Sequence, residues 1–555
     1  MVNFLSPGVG LQENVLSASF PQFSTSSAAI VGYSNKGRLD IPLISTQAQF
    51  LQEYTIAGQV PLGSNFHYSA LAYLQNGNAL YVQRVTYSDV LYAGARIKIS
   101  TATGSANAAL TTGATTTTFS AVSGNLDSFE VFAKDPGGWG NNIAIQINNV
   151  NSTTNTFEID VYLTNPYTGV NTLVENWTNL SRNTTQLDGY GNPMYFMTKI
   201  NGYSNYIVVS DDVNNAYTVL PKAQGVNLFL GGGTDSVATG ADTNGTAGIT
   251  DSRIALGWPI FTNTNNYQVR LLINAGNTGA ATQSAMLAVV DSRKDCIAIF
   301  DHPNQGTTLA SYQVAANVVT FRTSTQNFND QRAALYSPWL KVNDNWNNQI
   351  VYVPPSGYVA SAYAYNDYVS DVWMSPAGFT RGVLNVLGVS TVYSQADRDT
   401  LYQSQINPIQ TFRGSGIVIY GDKNETSTPG IFDRVNVRRL VDQIEITLEA
   451  YLNQFLFQNN TPLTRTQVKS GILAYLGSLY SQGAFNPIGP TGAVDLGYAC
   501  ICDTTNNTPA LISAHQLTVD VFVRPAQSIN FILLRMNVMD SQVSITQLSS
   551  SGTLL

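Results

Sequence analysis

Histidine and cysteine are scarce: this chain of 555 residues has three of each. Cys296, Cys500 and Cys502 cannot build a disulfide framework, so stability has to come from packing and association. With only His67, His302 and His515 available, hydrolytic or metal-dependent chemistry has little to cluster, and no zincin or Walker A pattern occurs. The reading is of a non-enzymatic protein without a cofactor. Charge is also thin. Asp, Glu, Lys and Arg make up 11% of the chain, against roughly 25% in ordinary soluble proteins. Asn, Gln, Ser, Thr and Tyr fill the difference, and a neutral polar surface suits contacts with its own kind, because amides and hydroxyls cost less to desolvate than charges. The net charge of −8 argues against a basic face for nucleic acid. No run approaches the ~18 apolar residues of a membrane span, so no membrane insertion is expected.

What is present is length and 44% hydrophobic residues, enough for two to four domains. SAAIVGYS from Ser27 reads as a buried strand, STQAQFLQEY as a helix opened by Ser45 or Thr46, SNFHYSALAYLQNG as a helix closed by Gly77, and NALYVQRV as a strand. YQVRLLIN, a helix over 278–292 and CIAIFDHP repeat that grammar, which predicts a parallel sheet with crossover helices. Between these blocks, residues 89–249 alternate in short β-like runs between Gly and Asn turns. The expected fold class is therefore α+β and multidomain: a middle α/β domain from 23–88 and 250–388, interrupted by a β-rich insertion over 89–249, then an α+β domain over 389–540. In that last part, VNVRRLVDQIEITLEAYLNQFLF predicts an amphipathic helix covering a sheet, with Val437, Leu440, Val441, Ile444, Leu448, Tyr451, Leu452 and Phe455 on one face and Asp442, Glu445 and Glu449 on another. A second helix follows Pro462. LGYACICD, HQLTVDVFVRP and SINFILLRMNV read as strands, the middle one alternating through Leu517, Val519, Val521 and Val523.

Residues 4–21, FLSPGVGLQENVLSASFP, form an extended-looking segment with no local hairpin partner. It is expected to stay in the mature protein, because Glu13 interrupts it and the first basic residue is Lys36, unlike a secretory signal. LFLGGGTDS at 228–236 lacks G-x-G-x-x-G spacing and reads as a domain hinge, not a phosphate cradle. Cys500 and Cys502 share a strand face, but two ligands fall short of a metal site and the pair reads as small apolar residues. The NWT, NLS and NTT triplets between 176 and 185 match the glycosylation pattern but carry little weight in a chain this rich in Asn and Thr. Arg434, Arg438 and Arg439 stand in the first turns of the amphipathic helix, where the macrodipole disfavours cations, so each needs a carboxylate partner. That partner is either within the chain or across a charged contact with another subunit or an inner partner.

Taken in order, FLSPGVGLQE, AAIVGYSNKG, YVQRV, AKDPGGWGNNIAIQI, GGGTD, KDCIAIFDHP, ALYSPWLKV, VPPSGYVASAYAYND, VWMSPAG, QADRDTLYQSQINPIQTF, RVNVRRL and CDTTNN make the chain resemble the sheath proteins of contractile phage tails. That family also includes the sheaths of R-type tailocins and, distantly, of type VI secretion systems. IVIYGDKNET departs from it, since Asp422 and Lys423 stand where a Trp-Gly-Ala-Arg-Thr type of run is usual. The resemblance implies an inner part from the two chain ends facing a tube, an outer part formed by the insertion, and hexameric rings stacked in a helix that contracts. It implies a tail tube protein, baseplate and tail terminator proteins as partners, and a place in the virion tail after assembly in the host cytoplasm. It also implies that an arm of residues 1–22 and a C-terminal arm of 541–555 add strands to neighbouring subunits. Phe4, Val9, Leu11, Val15 and Leu16 would set register there against strands carrying Val519, Val521, Phe531 and Leu533. The reading from another class is a secreted or virion-surface carbohydrate-binding adhesin, suggested by the Tyr content and the Asn- and Thr-rich insertion.

Overall fold

The computed structural model describes residues 23–102, 106–118, 126–212, 218–235, 249–303, 314–487, 494–530 and 532–534. The chain enters as β1 (Ala28–Tyr33), passes through β2 (Leu43–Ile44), α1 (Gln47–Tyr54) and α2 (Asn65–Tyr73), and returns as β3 (Leu80–Val85), parallel to β1. Every residue of β1 is buried, which is what a continuous apolar run needs when both faces of a parallel sheet are covered. Thr46 is the residue that opens α1, its hydroxyl accepting from the Gln49 amide at 3.2 Å.

Residues 94–229 hold β4 (Gly94–Lys98), β5 (Ala108–Ala109), β6 (Asp127–Ala133), β7 (Ile143–Asn151), β8 (Thr156–Thr164), β9 (Asn171–Leu180), α3 (Phe196–Asn201), β10 (Ile207–Asp211) and β11 (Gln224–Phe229). They make two four-stranded sheets, β10-β6-β4-β5 and β11-β7-β8-β9, around a core that includes Phe129, Trp139, Phe157 and Phe196. The strand alternation expected there is visible in β8, whose Phe157, Ile159, Val161 and Leu163 face inward.

The body resumes with α4 (Asp251–Ala255), β12 (Leu271–Ile273), α5 (Ala280–Arg293), β13 (Ile297–Asp301), α6 (Ala315–Thr320) and β14 (Ala333–Ser337). A small sheet follows, from β15 (Leu340–Asp344) and β16 (Gln349–Val353), then α7 (Ser356–Val369), β17 (Val383–Leu384), β18 (Gly388–Val389), α8 (Gln395–Gln403), β19 (Ile406–Phe412) and β20 (Gly416–Ile419). One nine-stranded sheet unites the body in the order β17-β20-β19-β14-β13-β12-β1-β3-β2, parallel from β19 to β3 and antiparallel at its edges. α1, α2 and α7 cover one face, α4, α5, α6 and α8 the other. Gly357 of α7 meets α2 so closely that an added Cβ would lie 2.5 Å from the Ser69 carbonyl oxygen.

The expected domain end at 388 is corrected here. β19 pairs with β14 and carries β20 and β17 with it, so residues 389–419 complete the body sheet and do not open the next unit.

The last part consists of α9 (Val435–Leu452), α10 (Pro462–Ser481), β21 (Tyr498–Ile501), α11 (Pro509–Ser513) and β22 (Asp520–Val523). Leu440, Ile444, Leu448 and Tyr451 of α9 pack with Val468, Ile472, Leu476 and Leu479 of α10, Trp373 of the body, and the inner face of an antiparallel β21–β22 pair. Cys500 and Cys502 are buried in that core, and among the described residues no three His, Cys, Asp or Glu side chains form a group that could hold a metal. Among the described residues no helix is long and apolar enough to cross a membrane. The third expected strand, SINFILLRMNV, is not one in its described residues: 528–530 and 532–534 are irregular. A strand needs a ladder partner, and among the described residues none pairs with these two stretches.

Candidate functional site

Three places hold the residues singled out from the sequence: the seam between body and C-terminal part, the neck of the insertion, and the short sheet with its flanking segment. The seam carries the arginines. Arg439, on the second turn of α9, donates to both carboxylate oxygens of Asp367 on α7 at 3.0 and 2.6 Å and to the Thr25 carbonyl at 3.0 Å. Its guanidinium also lies 5.0 Å from the Tyr363 ring centre. Burial opposes the charge on Arg439, but the charge and hydrogen bond of Asp367, together with Tyr363 and Tyr336, leave the group above its ordinary pKa. Arg438 and Arg332 share one oxygen of Asp442 at 2.8 Å each, and Arg438 also reaches Glu445 at 3.2 Å. Arg434 pairs with Asp422 at 3.4 Å and Asp433 at 3.0 Å.

Arg434, the N-cap of α9, and Arg438 and Arg439 within it thus all find carboxylates inside the chain. Asp442, on the face it shares with Glu445 and Glu449, is buried and serves both Arg332 and Arg438. Asp367 and Arg332 could not have been singled out beforehand, since they lie 72 and 110 residues from their partners.

The neck is polar and enclosed. Arg84, 1% exposed, donates to the carbonyls of Ser34, Gly37, Asn35 and Pro136. Lys36 donates to the Gln52 carbonyl and lies about equally far from the rings of Trp139 and Tyr206, at 5.4 and 5.5 Å. Burial lowers the Lys36 ammonium to about 8 against the pull of Asp135. The Gly-rich segment read as a hinge is paired: Gly231 exchanges main-chain hydrogen bonds with Gly94 at 2.9 Å, and Asp235 accepts from the Gly138 amide at 3.2 Å. Gly232, at φ 79°, leaves only 2.4 Å between an added Cβ and the Gly113 nitrogen, so the glycines serve close backbone approach.

The short sheet offers edges. Among the described residues β21 and β22 pair only with each other, continued by a bridge from Phe485 to Pro525, and a two-stranded pair with open edges is a template for further strands. Val519 and Val521 pack against the core of their own subunit, so only main-chain edge is left there for a partner. Leu533 is exposed and irregular, in an apolar run with Ile529, Ile532 and Leu534 that is 77–86% exposed. Phe531, the arm positions Phe4, Val9, Leu11, Val15 and Leu16, and residues 541–555 lie outside the described residues.

Two consecutive family models match this chain: the phage tail sheath protein central domain over residues 237–425, and the phage tail sheath C-terminal domain over 427–539. The chain belongs to the phage tail sheath protein family. The tail sheath protein of Enterobacteria phage T4 is 31% identical over 303 residues, 52% of this chain and 44% of that protein. That of Vibrio phage KVP40 is 34% identical over 285 residues, 47% and 41%. The chain therefore spans less than half the length of these curated relatives. Among solved structures, the anti-feeding prophage helical sheath in its contracted state matches with a TM-score of 0.53 at 16% identity, over 96% of this chain and 98% of that one. The sheath tail protein of Desulfitobacterium hafniense gives 0.54 at 12% identity, over 89% and 93%. These two likenesses are of fold.

Where the two sheath models meet, Glu425 is fully buried and neither carboxyl oxygen has a hydrogen-bond partner. Burial pushes it up to about 7; Arg322, 3.9 Å away, lowers it by less. The folded protein thus holds a proton that the unfolded chain releases near 4.5. The contribution is full below that value and falls by roughly 3 kcal/mol as pH rises to about 7. Denaturant melts at pH 5 and 8 should show Glu425→Gln stabilising the protein at pH 8 and changing little at pH 5. Equal effects at both values would contradict the assignment.

Proposed function

We propose that this chain is the structural subunit of a contractile tail sheath, which polymerises as helically stacked hexameric rings around an inner tube and contracts to drive the tube through the host envelope for genome delivery. The observation that carries the reading, in a chain of this family, is the β21–β22 pair, whose edges are open among the described residues, followed in the chain by the exposed Ile529, Ile532, Leu533 and Leu534. Edges and an unpartnered apolar segment are what strand exchange between subunits requires. Phe4, Val9, Leu11, Val15 and Leu16 of the 1–22 arm then add to a neighbour's strands around 515–545, with the 541–555 arm acting likewise. A contact of this heterologous kind does not close on itself and yields an open helix.

In this reading the C-terminal part faces the tube protein, the insertion lies outward, and baseplate and terminator proteins hold the ends, with neither nucleic acid nor membrane contacted. The particle is a virion tail assembled in the host cytoplasm. The paired neck and ion-paired seam favour rigid-body movement of whole subunits over refolding within them. Negative-stain microscopy of the purified protein tests this directly. Long tubes or ring stacks are expected, whereas a small discrete oligomer that binds glycans would replace the reading with that of an adhesin. Limited proteolysis of assembled material should cut within 89–249 before 390–530; the reverse order would invert the inner and outer assignment.

A further inference from the structure

A cleft of about 1250 Å³ runs between α9 and α10. Its apolar surface comes from Trp373, Tyr451, Phe455 and Tyr475, and its polar walls include Gln454 and Ser470. No residue that α9 or α10 contributes to it is charged; Asp367 and Asp371, at the body end, are its only ionic lining. Phe23 and Thr25, at the start of the described chain, line that same end. Thr25 is fixed there, donating to Asp367 at 2.7 Å and accepting from Arg439 at 3.0 Å.

From this geometry we infer that in the free subunit residues 1–22 of the same chain lie in the α9–α10 cleft. The inference rests on the reading of those residues as the assembly arm and adds where the arm is held before assembly. Chain continuity places residue 22 within about 3.8 Å, Cα to Cα, of Phe23, so the segment starts at the cleft mouth. The 18 residues of α9 span about 27 Å, which about eight extended residues cover. The chemistry agrees as well, since Glu13 is the only charged side chain in residues 1–22, the rest being apolar, hydroxyl, amide, Gly or Pro. An uncharged cleft of aromatic and amide groups accepts such a segment without burying an unpaired ion. Storage in the subunit's own cleft keeps the arm off other subunits' strand edges until a growing end competes for it.

The test places a thiol in the cleft. Ser470 is exposed and the three native cysteines are buried, so Ser470→Cys in the full chain gives one reactive thiol, with the unsubstituted protein as blank. A tethered segment at roughly millimolar effective concentration, with an intrinsic dissociation constant of about 0.1 mM, occupies the cleft about 90% of the time and slows thiol modification about tenfold. With the protein kept monomeric, as checked by sedimentation, Ser470→Cys should react about tenfold more slowly in the full chain than in the same variant lacking residues 1–20. Gln454→Cys on the opposite wall should behave alike and replaces Ser470→Cys if that variant does not fold. Equal rates with and without the segment would overturn the inference. So would protection that appears only in assembled tubes, which would assign the cleft to a neighbouring subunit or the tube. Micrographs of the same samples separate the two readings: protection by residues 1–20 together with normal tubes in their absence would support the cleft and remove the arm from assembly.

Discussion

Removal of residues 1–20 is expected to abolish tube formation while leaving a folded subunit. The four described cores are built from residues 28 onward, and all of those residues remain after the truncation. The melting temperature should therefore shift by no more than about 3 °C. Ordering an extended arm costs roughly 1 to 2 kcal/mol of backbone entropy per residue, and only a ladder partner returns main-chain hydrogen bonds against that cost. The loss should thus appear in assembly and not in stability. Truncated protein that still forms tubes by electron microscopy would remove the strand-exchange reading, and truncated protein that melts far below the full chain would mean that the arm belongs to its own subunit's core.

Arg439→Gln should be the most damaging single substitution in the seam. It leaves Asp367, whose side chain is 5% exposed, with a hydroxyl donor from Thr25 but no cation, and frees the Thr25 carbonyl as well. Breaking a buried pair from one side costs about 3 to 5 kcal/mol, because the remaining charge stays desolvated. Asp367→Asn in the same chain should recover part of the loss, and the part not recovered measures the contact with Tyr363 and Thr25. Arg38→Gln is the control: the Arg38–Asp40 pair is 39% and 62% exposed, and its loss should cost less than about 1 kcal/mol. If equilibrium unfolding shows Arg439→Gln no worse than Arg38→Gln, the seam is not held by this pair.

The glutamine at 439 also separates stability from assembly. Arg439 touches Asp367 and Thr25 within its own subunit, so any defect in polymerisation should follow the loss of folded subunit. A variant that is fully folded by melting yet does not polymerise would place Arg439 in a contact between subunits after all.

Local elements were legible in the sequence because their causes are local. β1, the helix opened at Thr46, the strand at 80–85 and the two long helices after 434 follow from apolar spacing, capping hydroxyls and proline. The need of Arg434, Arg438 and Arg439 for carboxylates was also legible, since cations at a helix start are unfavourable whatever surrounds them.

What tertiary structure alone decided is which distant groups meet. The order of the chain places 389–419 with the C-terminal unit, and only the pairing of β19 with β14 and β20 assigns them to the body sheet. Periodicity cannot tell that 528–530 and 532–534 pair with no strand among the described residues, that Asp442 turns inward to serve two arginines, or that Arg439 meets Asp367. Hydrophobic spacing is a property of neighbouring residues, whereas strand pairing and the burial of a charge depend on groups that folding brings from far along the chain.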